Sequence, residues 1–214
     1  MKKVAVILSG CGVKDGSEIH ESVMALWALA KNGIEYNFFA PSKEQFTVVN
    51  HLTGESVAES RNVLVESARI ARGDIKILTE LNAGDFDGLL LPGGLGAAKN
   101  LCSFAYEGEK YSVDKDVEKV ICNFHALKKP IVALCIAPMI VAKVLKASVT
   151  IGTDVETAKI VELVGGKHVD ANYDEIVVDN ENRVITTPCY MLANNVYQIS
   201  VGIEKAVEAM KKMM

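Results

Sequence analysis

The sequence has few histidines, no paired cysteine motif and no long apolar run, and each absence excludes a class of protein. The five cysteines are scattered, odd in number and without a C-x-x-C pair, which argues against a disulfide framework and against a zinc site. None of the four histidines lies four residues from another, so no helix face is predicted to bind a metal. No apolar run approaches the roughly 20 residues that cross a bilayer. We therefore expect reduced thiols, no metal and no membrane partner.

The charge balance indicates an ordinary globular protein. With a net charge of −4 and 23% charged residues, the chain gives no reason to expect a nucleic-acid partner. The apolar run at residues 4–8 is too short for the core of a signal peptide, so we expect a cytoplasmic protein. A length of 214 residues suits one α/β domain with a large core, which we expect to span residues 1–214.

Strand and helix patterns alternate along the chain. Short β-branched runs predict strands, and apolar residues at helical spacing predict helices between them. This alternation predicts a three-layer α/β sandwich with a mainly parallel central sheet, as in flavodoxin-like and class I glutamine-amidotransferase-like folds. The weaker pattern at residues 42–54 predicts a hairpin on the edge of the sheet, within an insertion near residues 42–75. The strands are predicted at residues 4–8, 36–40, 86–91, 131–134, 149–152, 175–178 and 184–187.

The first helix has an apolar stripe that predicts which of its faces is buried. Asp15 or Ser17 is expected to cap its N-terminus. The apolar positions make Glu18 and Ser22 the more exposed side, whereas Glu21 could point along the sheet toward the corner that carries Cys135. The stripe consists of Ile19, Val23, Leu26, Trp27 and Ala30.

Residues 131–139 combine a buried strand, a single thiol and a helix start. The apolar run at residues 131–134 predicts a strand covered on both faces. Pro138 is tolerated only in the first turn of the helix that follows, so Cys135 falls on the corner between the two. So sharp a corner needs small residues two before and two after the nucleophile, here Ala133 and Ala137. The helix N-terminus is expected to lower the pKa of the thiol from about 8.5 into a range of about 3.5–7.5.

Two further stretches are expected to meet Cys135 at the carboxyl edge of the sheet. Gly93 and Gly94 follow a buried strand, and glycines there let a ligand approach the backbone closely. The backbone N–H groups of Gly94 and Ile136 are predicted to form an oxyanion hole. The start of the first helix supplies Glu18, His20 and Glu21 as candidates for moving protons.

These motifs together resemble the PfpI superfamily, which has the class I glutamine-amidotransferase-like fold, and its ElbB-type glyoxalases in particular. The resemblance extends over essentially the whole chain. It is carried by Pro-Gly-Gly at residues 92–94, by Ala-Leu-Cys-Ile-Ala-Pro at 133–138, and by Gly-Ser-Glu-Ile-His-Glu at 16–21.

The resemblance implies a cofactor-independent glyoxalase with Cys135 as the nucleophile and Glu21 as its acid/base partner. Such enzymes convert small dicarbonyl aldehydes, glyoxal or methylglyoxal, into glycolate or lactate, and an isoprenoid-biosynthesis role has been attached to the same group. The resemblance also implies a homodimer. Besides Gly93, the substrate pocket is expected to include His20, Cys11 and Cys189.

Two alternatives stay open on the sequence. Cys135 could serve a non-catalytic redox sensor, because an accessible thiol of low pKa suits oxidation as well as catalysis. Repair of aldehyde-modified proteins is hard to separate from glyoxalase activity. A dinucleotide site is disfavoured, because the glycine spacing at residues 10–16 is one residue too long. No histidine stands at residues 149–154, where relatives with a triad have one, which argues against protease or glutaminase chemistry.

Overall fold

A computed structural model describes all 214 residues, and it has the α/β architecture that the alternating pattern predicts. Seven strands form the central sheet, and two short strands pair beside it. In chain order the strands are β1 Lys3–Ile7, β2 Glu35–Ala40, β3 Ile75–Ile77, β4 Gly88–Leu91, β5 Ile131–Leu134, β6 Ser148–Val149, β7 Lys167–His168, β8 Val177–Asp179 and β9 Val184–Thr187. The helices are α1 Ile19–Lys31, α2 Val63–Ile70, α3 Phe104–Glu107, α4 Lys115–Ala126, α5 Pro138–Leu145, α6 Val155–Leu163 and α7 Val196–Met213.

The order of the strands places a topological switch at the centre of the sheet. The order is β3-β2-β1-β4-β5-β9-β8, and every neighbouring pair is parallel except β8 and β9. The chain leaves β1 toward one edge and leaves β4 toward the other, so right-handed crossovers put α1 and α4 on opposite faces. Ligands of open α/β sheets bind at such a point, beyond the carboxyl ends of the strands.

The central strands are buried on both faces, as their sequences predict. No residue of β4 or β5 is exposed, and helices pack on both sides of them. Removing this much apolar surface from water is the main favourable term in folding. None of the helices combines the length and the apolarity that a bilayer crossing requires.

Short elements are where the predicted boundaries were wrong. The pattern missed β3 and β7, which have three and two residues. It also predicted a four-residue strand at residues 149–152, whereas the strand in this part of the chain has only two residues, Ser148–Val149, which pair with β7. The remainder of that stretch is held by side chains, because Thr186 Oγ1 accepts a hydrogen bond from the Thr150 N–H at 2.9 Å. Runs of two or three residues carry too few side chains to show a period.

The segment between β2 and α2 is not an edge hairpin of the sheet. It folds back on itself through two isolated antiparallel bridges, Glu44 with Asn62 and Val49 with Ser56, but neither bridge joins a strand of the sheet. The segment packs instead over the loop after β1, where the Val49 N–H donates to Asp15 Oδ2 at 2.8 Å. Asn100 completes this clamp, donating to the Asp15 carbonyl and accepting from the Phe46 N–H, both at 2.9 Å. The segment therefore fixes the loop from which α1 begins.

The prediction of the buried face of α1 was wrong. Ile19, Val23 and Trp27 keep between 43% and 45% of their surface exposed. The face toward the sheet is formed instead by Glu21, Ser22, Ala25, Ala28 and Leu29. Glu18 and Ser22, expected on the exposed side, are both buried. Glu18 also replaces Asp15 and Ser17 as the N-cap, because its Oε2 accepts from the Glu21 N–H at 2.7 Å.

Candidate active site

Cys135 lies on a strained corner between β5 and α5. Its φ angle is 58°, in the left-handed region that residues with a side chain rarely adopt. The corner is held on both sides, because the Cys135 N–H donates to the Thr187 carbonyl at 3.0 Å and the Ala137 N–H donates to the Leu134 carbonyl at 2.9 Å. Pro138 is the first residue of α5, as predicted. Such a fixed corner presents the thiol at the carboxyl end of the sheet.

Glu21 meets this thiol from the first turn of α1. Its side chain is fully buried and hydrogen-bonded to Cys135. Its Oε2 accepts from the Gly93 N–H at 3.0 Å, and its Oε1 accepts from the Tyr190 N–H at 3.3 Å. Both carboxyl oxygens are therefore oriented by backbone donors, and the sequence-predicted pair is in contact.

Gly93 leaves the space in which the thiol and the carboxyl group touch. A Cβ at this position would lie 2.4 Å from Cys135 Cβ, 2.6 Å from Glu21 Oε2 and 3.0 Å from Cys135 Sγ. Any side chain would therefore separate the nucleophile from the carboxyl group. Glycine is required here so that the two side chains can approach each other, whereas the sequence pattern predicted only the close approach of a ligand.

Burial changes the proton affinity of both members of the pair. Loss of solvation, with a smaller effect of the neighbouring Glu18, raises the pKa of Glu21 to about 8. Burial also raises the pKa of the Cys135 thiol, and a charged Glu21 raises it further. The expectation that the helix N-terminus lowers this pKa was therefore wrong, because desolvation outweighs the helix dipole. Because burial disfavours the charged form of both groups, the pair is expected to carry at most one negative charge, and none while Glu21 and the thiol are both protonated.

Two backbone donors converge on the sulphur. The N–H groups of Gly94 and Ile136 both contact Cys135 Sγ, and each lowers the pKa of the thiol. Gly94 has a φ of 94°, and a Cβ there would lie 2.4 Å from both the Glu18 nitrogen and the Gly16 carbonyl oxygen. The loop after β1 thus packs directly on the residue whose N–H faces the thiol. The two donors are placed where negative charge beside Cys135 would be stabilised.

Two further residues, Glu18 and Tyr190, belong to the site, and only Glu18 was among the sequence candidates for moving protons. Glu18 was expected on the exposed side, but as the N-cap it lies close enough to raise the pKa of Glu21. Tyr190 lies in the turn after β9, where its backbone holds Glu21. The only sequence signal for this turn is the Thr-Thr-Pro run at residues 186–188, which marks a loop without showing what it contacts.

The three remaining candidates differ in their distance from the thiol. His20 is exposed, and its Nδ1 lies 2.8 Å from the Tyr190 hydroxyl, beside Glu21 in the chain. Cys189 is fully buried and lies close enough to Cys135 for a charge on that sulphur to raise the pKa of its own thiol, although burial is the larger cause. The charged groups around Cys11 are those of Arg69, Glu66 and Asp15. These groups do not include Cys135 or Glu21.

Curated relatives match most of the chain, although no family model does. The ES1 protein homolog, mitochondrial, of Rattus norvegicus is 46% identical over 217 residues, which cover 96% of this chain and 82% of that protein. The mitochondrial glutamine amidotransferase-like class 1 domain-containing protein 3 of Homo sapiens is 45% identical over 212 residues, covering 94% of this chain and 79% of that protein.

Solved structures extend the similarity to the fold. An isoprenoid biosynthesis protein with an amidotransferase-like domain from Ehrlichia chaffeensis is 37% identical, with a TM-score of 0.92 and coverage of 99% of this chain and 100% of that one. Glyoxalase III from Candida albicans is 16% identical, with a TM-score of 0.64 over 98% of this chain and 97% of that one, so it shares the fold. The mainly parallel sandwich is thus the amidotransferase-like fold.

Proposed function

This chain belongs to the family of the ES1 protein homologues and of glutamine amidotransferase-like class 1 domain-containing protein 3, and we propose that it is a glyoxalase of the ElbB type that needs no cofactor. The observation that carries the proposal is the buried contact of Cys135 with Glu21 beside the N–H groups of Gly94 and Ile136. A thiol, an acid/base group and two oxyanion donors are the parts that addition to an aldehyde requires.

The first step joins the thiol to the aldehyde. The pair reacts with one proton shared between Cys135 and Glu21, so that the sulphur is nucleophilic while the carboxyl group holds the proton. The sulphur bonds to the aldehyde carbon, and the electron pair of the C=O bond moves to oxygen, beside the N–H groups of Gly94 and Ile136. This oxygen takes the proton from Glu21, which leaves a hemithioacetal and a carboxylate.

The second step moves hydrogen between the two carbons of the dicarbonyl. The Glu21 carboxylate removes the C–H proton of the hemithioacetal carbon, giving an enediolate, and returns this proton to the adjacent carbon, while the hydroxyl proton passes from the first oxygen to the second. The product is a 2-hydroxyacyl thioester. Water then attacks its carbonyl carbon, the C–S bond breaks, and the sulphur and Glu21 again share one proton. The sum is one dicarbonyl and one water to one 2-hydroxy acid.

The positions of the histidines support isomerisation over amide hydrolysis. His168 accepts a hydrogen bond from the Ile151 N–H at 3.4 Å and lies 3.6 Å from Asp170, whereas His125 is in the last turn of α4, at the amino edge of the sheet. Amide hydrolysis by a thiol needs an imidazole to protonate the leaving amine.

Product formation from glyoxal and methylglyoxal tests the proposal. The purified chain, free of metal and glutathione, is expected to form glycolate and lactate, and Cys135→Ala is expected to form neither. Cys122→Ala, which alters an exposed cysteine on α4, is the matched control and should match the parent. An inactive parent, or an active Cys135→Ala, would refute the glyoxalase.

A second candidate function is redox sensing, because Cys189 places another thiol directly behind Cys135. Reaction of the Cys135 thiol with hydrogen peroxide would give a sulfenic acid and water. The raised pKa of the buried thiol disfavours this reaction, which is why we rank it second. A chain without turnover whose Cys135 oxidises at low peroxide would favour the sensor.

Three further expectations are carried as part of the proposal. The link to isoprenoid biosynthesis is supported by the name of the Ehrlichia chaffeensis protein. A homodimer is supported by the resemblance to the superfamily. A cytoplasmic location stays a prediction, and both curated relatives are named mitochondrial.

A further inference from the structure

Tyr190 contacts two adjacent residues of α1 through its opposite ends. Its backbone N–H donates to Glu21 Oε1 at 3.3 Å, and its hydroxyl lies 2.8 Å from His20 Nδ1. The two rings are tilted by 52°, with centroids 5.9 Å apart. The short helical turn Cys189–Met191 is thereby tied to the first turn of α1 at the mouth of the site.

The two backbone donors on Glu21 differ in how firmly they are held. Gly93 is separated from the central strand β4 by Pro92 alone. Its carbonyl oxygen also accepts a hydrogen bond from the Glu18 N–H at 2.9 Å. Tyr190 lies in a turn of three residues, and its bond to Glu21 is the longer of the two. The phenol contact with His20 is the side-chain anchor of that turn.

We propose that Tyr190 is a positioning residue for Glu21, and that the hydrogen bond between its hydroxyl and His20 fixes the turn whose N–H orients the carboxyl group. The inference rests on the proposed pairing of Cys135 with Glu21. It gives His20 a task other than contact with substrate. It also explains why an exposed histidine precedes a fully buried glutamate on the same helix.

Loss of the phenol has a defined consequence for the proton affinity of Glu21. The Tyr190 N–H lowers the pKa of that carboxyl group, against burial and Glu18, which raise it. The other titratable groups facing Glu21 are Cys135, with which it is hydrogen-bonded, and the buried Cys189 thiol. If the turn loosens, Glu21 holds its proton more tightly, and the pair reaches its reactive state at a higher pH.

The test follows the alkylation of Cys135 by iodoacetamide against pH, with each cysteine resolved by peptide mass spectrometry. Tyr190→Phe and His20→Ala are each expected to move the midpoint of the curve of alkylation rate against pH upward by about half a pH unit or more. The double variant should move it no further than either single variant, because both remove the same bond. Tyr197→Phe, which alters an exposed tyrosine at the start of α7, is the matched control and should not move it.

A midpoint unchanged in Tyr190→Phe, or shifts that add in the double variant, would overturn the inference. Since His20 is exposed, His20→Ala preserves the test if Tyr190→Phe fails to fold. With glyoxal as substrate, the variants should lower kcat and leave KM unchanged. Alkylation needs no turnover, so a shifted midpoint in a chain that does not convert glyoxal would reject the proposed function and retain the inference.

Discussion

At Cys135 and Glu21, two groups that water would ionise independently are buried against each other. Burial raises the pKa of Glu21 to about 8 and raises that of the thiol as well, so the pair retains protons that either group would lose in solvent. Glycine at residue 93 leaves room for the contact, and the strained φ of Cys135 aims the sulphur toward it. The chemistry of the site therefore depends on these few fixed positions.

The buried carboxyl group makes the stability of the fold depend on pH. The pKa of Glu21 is about 8 in the fold against 4.5 for the free group, so the folded chain binds the proton more tightly. The stability this provides is fully present below a pH of about 4.5 and is lost as the pH rises through about 8. Glu21→Gln carries no titrating group. The free energy of unfolding is measured in urea at about pH 5 and at about pH 9. Between these two pH values, that of the parent is expected to fall on the order of a few kcal/mol more than that of Glu21→Gln.

The control for this measurement is Glu208→Gln, an exposed glutamate of α7. Its pH dependence should follow that of the parent. If the parent and Glu21→Gln respond identically to pH, Glu21 is ionised in the fold and the account of its burial is wrong.

Gly93→Ala is expected to lower the rate of hydroxy-acid formation by 100-fold or more, on the order of what loss of an oriented catalytic donor costs. The added Cβ would lie 2.6 Å from Glu21 Oε2 and 2.4 Å from Cys135 Cβ, so one of the two must move. Gly84→Ala is the matched control, because Gly84 has no positive φ and lies before β4, at the other end of that strand. Steady-state kinetics compares the two. A Gly93→Ala variant as active as Gly84→Ala would show that the contact is not needed.

Among the elements, α1 differs most from its predicted placement. Apolar periodicity correctly identified its existence but not its buried face. The reason is that two polar residues are buried for specific contacts: Glu21 for Cys135, and Ser22 for the Glu18 carbonyl, to which its hydroxyl donates at 2.7 Å. A pattern of apolar residues along the sequence does not indicate such contacts.

This assignment predicts opposite outcomes for two substitutions on α1. Leu29 is fully buried, and Leu29→Ala is expected to cost about 2–5 kcal/mol of unfolding free energy. Val23 is 45% exposed, and Val23→Ala is expected to cost about 1 kcal/mol or less. Urea denaturation measures both. Equal losses, or a larger loss at Val23, would restore the originally predicted face.

The strands show the opposite case. In β4 and β5 every residue is buried, and a continuous apolar run is what a strand covered on both faces requires, so sequence alone located them. The elbow followed from the same run, since Pro138 can only begin a helix. By contrast, the pKa direction of Cys135 could not be predicted, because it depends on how much solvent the folded chain excludes.

Over the whole molecule, the site is built from four distant parts of the chain. Glu21, Gly93, Cys135 and Tyr190 follow four different strands, β1, β4, β5 and β9, which lie side by side in the sheet. The parallel order brings their carboxyl ends to one edge, which the sequence predicted for three of the four. Tyr190 was missed, because nothing local marks the contact of the final turn with α1.

A site assembled in this way should be lost together with the sheet. The single tryptophan, Trp27, reports on α1, and circular dichroism reports on the whole fold. In urea, tryptophan fluorescence, circular dichroism and hydroxy-acid formation are expected to decline in one transition. Activity lost at clearly lower urea than the fold would show that the site opens independently of the sheet.

The rate of lactate formation from methylglyoxal by Glu21→Gln beside the parent, measured across pH, tests the central claim most directly. The pair must lose one proton to react, so the parent rate should rise as the pH passes through about 8. Glu21→Gln should lose 100-fold or more of the parent rate, on the scale of general acid–base catalysis, while its Cys135 can still be alkylated. A Glu21→Gln variant that keeps the parent rate and pH profile would contradict the account.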